Sequence, residues 1–152
     1  MRLTLLVPFL LSYNLFSQDV PRMLEPGTIS NGGAFGFTLS PDSKEAFWVA
    51  SNGGRDTLTI MHSVKANDSW SKPEPALFSG DPQIKDIDPV FSSDGKMLLF
   101  QSDRPVEGKP DRKGFDIWAV KKTNSGWGAP YHLGNNINSD ASESFASMSR
   151  NG

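Results

Sequence analysis

The chain has 152 residues with a formal net charge of −2, and a third of its positions are Gly, Pro, Ser or Asn, which excludes a helical bundle built on long Ala, Leu, Glu and Lys stretches. Ten Phe, four Trp and two Tyr supply enough apolar area for a packed core, which excludes a disordered chain. Fifteen Lys and Arg against seventeen Asp and Glu, without a basic stripe, exclude the electrostatic footprint of a nucleic-acid binder; the lack of Cys excludes disulfides, thiolate metal sites and a lipid-carrying Cys.

Arg2 gives the N-terminus a basic start, Leu3 to Phe16 form a short apolar run, and Ser17 is a small residue at a plausible cleavage point. This three-part pattern predicts a signal peptide over residues 1–17, with Gln18 opening the mature chain. Fourteen apolar-run residues broken by Pro8 are too few to span about 30 Å of hydrocarbon. The expectation is therefore a periplasmic or secreted protein with no membrane span after cleavage. A lead-in segment, 18–34, follows.

From residue 35 onward the sequence repeats itself. Leu39-Ser-Pro-Asp-Ser-Lys44, Phe91-Ser-Ser-Asp-Gly-Lys96 and Met148-Ser-Arg-Asn-Gly152 align, as do Trp70-Ser-Lys-Pro73 and Trp127-Gly-Ala-Pro130. Asp42 to Asp94 spans 52 residues, and Asp94 to Asn151 and Trp70 to Trp127 each span 57. The distance from Trp to the next turn is constant, so the length difference falls in one polar stretch, Pro105 to Gly114, which reads as a surface loop.

Each unit predicts four strands. In the first they lie near Phe35 to Leu39, Ala46 to Ala50, Leu58 to Met61, and from Trp70 onward. In the second, Pro89 to Ser92 leads into the Asp94-Gly95 turn, a strong hairpin signal because both residue types tolerate positive φ. Met97 to Gln101 returns as an apolar run, Phe115 to Val120 is aromatic and β-branched, and Ala129 to Leu133 is a short outer strand. Pro130 is tolerable there only at a sheet edge. The fold expected is all-β: a β-propeller of four-stranded antiparallel blades, with units at about 35–86, 87–140 and a truncated 141–152.

The run from Asp88 through Ser92-Ser-Asp-Gly-Lys96 to Ser102-Asp-Arg104, followed by Asp116-Ile-Trp118, resembles the WD40-like propeller repeat of the TolB-like type. The resemblance is strong over 86–138 and weaker in the first unit, which has Asp42-Ser43 in place of Asp-Gly. It implies an exported scaffold that binds a protein or a cell-envelope component. The 135 residues after the signal correspond to about two and a half blades, whereas a closed propeller uses about four to eight. A fragment of a longer protein is therefore expected, poorly soluble or strand-swapped when expressed alone.

Asp42, Asp94 and Asn151 recur at one position and, with Gly95, read as turn residues whose side chains bond the backbone two residues on. Asp86 and Asp88 precede an inner strand and, with Asp103 and Arg104, are the candidates for a channel or rim that binds a polar ligand. Trp48, Trp70, Trp118 and Trp127 read as packing residues. Asn67-Asp-Ser69 is formally a glycosylation sequon. No nucleophile elbow, P-loop, dinucleotide fingerprint or paired-His zinc motif occurs, and His62 and His132 alone make a zinc site hard to assemble. No catalytic residue and no cofactor is assigned. Two alternatives are a substrate-screening propeller of a prolyl-oligopeptidase-like hydrolase and a glycan-cleaving propeller using Asp86, Asp88 and Glu143.

Overall fold

The computed structural model describes residues 20–151, so the expected signal peptide lies outside the described residues. The described residues are all-β with no helix, and form two antiparallel sheets. The first sheet contains β1 (Ala34–Leu39), β2 (Glu45–Ser51), β3 (Leu58–Ala66), β4 (Ser69–Trp70) and β5 (Glu74–Pro75). The second contains β6 (Asp86–Phe91), β7 (Met97–Ser102), β8 (Asp116–Thr123), β9 (Gly126–Trp127) and β10 (Tyr131–His132). Both sheets pair in the same order, each strand against the next, with two short strands against the third.

The expectation of four strands per sheet is corrected to five, because the outer strand is split. In the first sheet β4 pairs with the end of β3 at Lys65 and Ala66, whereas β5 pairs further back, at Met61 and His62. In the second, β9 and β10 divide β8 in the same manner. Each break holds a proline, Pro73 or Pro130, which has no N–H to donate to a ladder.

The middle strands are apolar on both faces because both faces are covered. Ala46, Phe47, Trp48 and Val49 of β2 are buried in succession, as are Leu98 to Phe100 of β7 and Ile117 to Val120 of β8. Phe47 and Ile60 of the first sheet pack with Leu98, Phe100, Trp118 and Val120 of the second. Phe47 is the third residue of β2, whereas Leu98 and Phe100 are the second and fourth of β7. The two sheets thus meet through opposite faces. The other face of β2, Ala46 and Trp48, is covered by Ile29 of the lead-in, with Leu24, Met61 and Trp70 alongside.

Aromatic rings fill the seam between the sheets. Phe47 stacks on His62 (centroids 4.3 Å apart) and meets the edges of Phe91 and Trp127, each at 5.5 Å. Glu45 closes one end of the seam: its carboxylate accepts from Trp127 Nε1 at 3.0 Å and from Lys122 Nζ, both in the second sheet. The nearby His62 imidazole, with Lys122 and the Trp127 N–H, outweighs burial and holds the Glu45 carboxyl down at about 2.

That depression predicts a pH-dependent seam. A carboxyl whose folded pKa lies below its unfolded value of 4.5 adds stability above that pH, and the addition is lost as pH falls towards about 2. Glu45→Gln is expected to cost about 1–2 kcal/mol at neutral pH, discounted because Lys122 is partly exposed to solvent screening. The difference between parent and variant in urea unfolding should shrink steadily below pH 4.5. A difference that stays constant down to acid would show that the charge of Glu45 contributes nothing.

Candidate functional site

The recurrent turns are built in one way. Ser40 Oγ donates to Asp42 Oδ1 at 2.6 Å and accepts the Glu45 N–H at 2.8 Å, while Asp42 Oδ1 accepts the Lys44 N–H at 3.2 Å. Ser92 Oγ donates to Asp94 Oδ1 at 2.7 Å and accepts the Met97 N–H at 2.9 Å, while Asp94 Oδ1 accepts the Lys96 N–H at 3.0 Å. The serine hydroxyl first, and then the backbone N–H, hold both carboxyls below the ordinary aspartate range. Ser40 and Ser92 are buried, and sequence reasoning did not single them out as anchors. Their recurrence two positions before each Asp was the available signal. Asn151 lies in an exposed turn whose neighbour, Arg150, accepts from Ser93 Oγ through its carbonyl at 3.1 Å.

One position separates the two complete turns. Gly95 has φ of +70°, and its counterpart Ser43 has φ of +58°, a conformation that strains a residue carrying a Cβ. Ser43→Gly is therefore expected to raise stability by about 0.5–1 kcal/mol, and Gly95→Ala to lower it by about 1 kcal/mol or more. A Cβ at Gly95 would also come within 3.1 Å of Pro41 Cδ. Urea midpoints of the two variants, moving in opposite directions, are the check.

The first strands of the two sheets, β1 and β6, run close together. Gly36 of β1 sits in a bulge with φ of +57°, and a Cβ there would lie 2.9 Å from Asp88 Oδ1. Asp88 occupies the matching bulge in β6 with φ of +50°. Its Oδ2 accepts from the amide of buried Gln101 at 3.0 Å, which leaves the carboxylate half-buried between β1 and β6.

The other expected channel residues do structural work. Asp86 is 1% exposed, and its Oδ1 pairs with Arg104 at 2.7 Å. Arg104 also donates to Ser102 Oγ at 2.7 Å and to the Phe78 carbonyl at 3.1 Å. Its guanidinium lies over Phe100 and Trp118. Asp103 Oδ1 accepts the Lys85 N–H at 2.7 Å and so pins the chain entering β6. Of the four residues expected to meet a ligand, the structure brings Asp86 and Arg104 onto each other and ties Asp103 to backbone. Only Asp88 stands where β1 and β6 meet.

Glu143, the third carboxylate of the glycan-cleaving alternative, accepts from the Ser139 hydroxyl and N–H. These two bonds, aided by Arg112, hold its carboxyl below the usual range. The four tryptophans are packing residues: Trp48, Trp118 and Trp127 are buried, and Trp70 packs beside Trp48.

An Asp–His pair with a buried carboxylate has no trace in the sequence. His132 Nε2 lies 3.1 Å from Asp116 Oδ2, and Arg112 pairs with the other oxygen of that carboxylate. His132 Nδ1 accepts the Gly134 N–H at 3.1 Å, so Nε2 carries the proton and donates to Asp116. Asn138 Nδ2 also lies 3.0 Å from His132 Nε2. Asn138 completes the arrangement by bonding both the N–H and the carbonyl of Ile117, extending the β8 ladder with a side chain. Among the described residues no group of three or more His, Asp or Glu is placed to hold a metal ion. Comparison of the chain with family models, with curated proteins and with solved structures returns no match.

Proposed function

We propose that this chain forms an exported, non-catalytic β-propeller that serves as a binding scaffold for a protein or cell-envelope component. The observation that carries the reading is the meeting of the two sheets through opposite faces. Such a head-to-tail contact leaves the second sheet with a face like the one the first sheet presents at the seam, so further sheets can add by the same rotation, whereas the lead-in covers the corresponding face of the first sheet. Radial repetition of small antiparallel sheets is the propeller architecture.

Backbone conformation supports the same reading. The positive-φ residues Gly36, Asp88 and Phe145 are spaced by 52 and 57 residues, as are the turn residues Asp42, Asp94 and Asn151. By this spacing residues 143–148, which form no strand in the structure, correspond in sequence to β1 and β6. The non-catalytic part of the reading rests on the carboxylates: Asp86 and Glu143 are held by internal partners, and Asp88 is bound to Gln101. TolB-like resemblance supplies the scaffold role, and the N-terminal pattern supplies export.

The test is made on the full-length protein in its source cells. Its N-terminus should begin at Gln18 by mass spectrometry and it should fractionate with the periplasm or medium. Cross-linking should join it to one envelope component through the channel or rim. A cytoplasmic, uncleaved protein would overturn export. Hydrolysis of a glycan or peptide substrate that is abolished by Asp88→Asn would overturn the non-catalytic scaffold.

A further inference from the structure

The sheet end that carries the tight turns holds a cleft of about 440 Å³ between the β6–β7 hairpin tip, the end of β8 and residues 148–151. Met97 and Met148 contribute apolar surface to it, and Lys96, Lys121, Lys122 and Arg150 contribute four cations. Its one carboxylate, Asp94, is already bonded to Ser92 Oγ and the Lys96 N–H within its own turn. Lys122 is paired with Glu45. Among the described residues, Lys96, Lys121 and Arg150 make no ion pair within 4.0 Å; Lys96 lies near enough to Asp94 to help lower its pKa, and Lys121 lies over the Tyr131 ring, 5.6 Å from its centroid.

We propose that this cleft is a docking site for an acidic, extended peptide segment of a partner protein. The cations of this concavity outnumber its single carboxylate, Asp94, so the cleft carries a net positive charge in a chain whose net charge is −2, and it attracts an anionic partner. Carboxylates of the partner meet Lys96, Lys121 and Arg150, and an apolar side chain between them enters against the two methionines, which repack around varied shapes. Ser93, exposed at the mouth, already donates its hydroxyl to the Arg150 carbonyl and keeps only its acceptor lone pairs for the peptide backbone. A small anion would use the cations and leave the methionines uncovered, which is why a peptide is the better occupant. The proposal rests on the scaffold reading and names the chemistry of its partner.

The test uses the full-length protein and a fluorescein-labelled peptide, Gly-Glu-Leu-Glu-Gly, with Gly-Gln-Leu-Gln-Gly and Gly-Lys-Leu-Lys-Gly as controls, read by fluorescence anisotropy. The acidic peptide should bind, more weakly at physiological than at low ionic strength, and the two controls should not. The triple variant K96Q/K121Q/R150Q should weaken binding about tenfold or more, whereas Lys113→Gln, on the far loop, should change it less than about twofold. Equal binding of the glutamine peptide, or indifference to the triple variant, would overturn the proposal. So would amide protection showing the cleft already filled by other residues of the same chain. If an envelope partner cross-links elsewhere on the molecule while the acidic peptide fails, the scaffold reading stands and this inference falls.

Discussion

Arg104→Met should destabilise the protein by about 3–5 kcal/mol, because it leaves Asp86 charged in a site that water does not reach. Asp86 is 1% exposed and the Arg104 side chain 10%, so the pair sits in a low-dielectric environment. Arg104 also satisfies Ser102 and the Phe78 carbonyl, so its removal orphans several polar groups together. The double variant D86N/R104M should recover a substantial part of the loss, since it takes away the uncompensated charge. Arg104→Lys should still cost about 1.5–3 kcal/mol: one ammonium cannot reproduce the planar fork or the stacking over Phe100 and Trp118. Urea unfolding of the full-length chain measures all three. A single-variant cost below about 1 kcal/mol would mean that Asp86 is hydrated and available, as a channel ligand must be.

Phe47→Ala is expected to cost a similar amount, about 3–5 kcal/mol, by opening a cavity at the centre of the seam. Phe47 is fully buried and touches rings from both sheets: His62 from its own, and Phe91 and Trp127 from the other. Its loss should therefore loosen the contact between sheets more than either sheet itself. In hydrogen exchange, amides of β9 and β6 should lose protection while the β2–β3 ladder is retained. Phe47→Leu, which keeps most of the volume, should cost about 1.5 kcal/mol or less. Equal loss of protection throughout both sheets would show that they open as one unit and that the seam has no separate weakness.

The strand positions were legible because strand and turn signals are local. Met97 to Gln101 was expected from an apolar run beside an Asp-Gly turn, and β7 spans Met97–Ser102. The Phe115-to-Val120 expectation corresponds to β8, Asp116–Thr123, where the extra polar residues continue the pairing beyond the core. The split outer strand was missed because a two-residue strand has no periodicity to detect; the prolines in each break were its visible trace.

The site residues were less legible. In sequence Asp86, Asp103 and Arg104 stand out as polar residues bordering a strand, a criterion blind to partners 18 residues away and to the start of β6 at Asp86 itself. Glu45 shows no sequence signal at all, since its partners Lys122 and Trp127 lie in the other sheet. The basic cleft was invisible for the same reason: its cations come from three separate segments, and composition shows only an acidic chain.

By itself the sequence determined the all-β class, the places where the chain turns and the apolar runs of the core strands. Those depend on backbone preferences and on neighbours a few residues apart. Its third of Gly, Pro, Ser and Asn was enough for that. Only the tertiary structure decided that the sheets meet through opposite faces, that Asp86 and Arg104 are internal partners and that Lys96, Lys121 and Arg150 surround one cleft. Each is a contact between segments distant along the chain, and is selected by packing complementarity and charge pairing in three dimensions, which leave no period in one dimension to read.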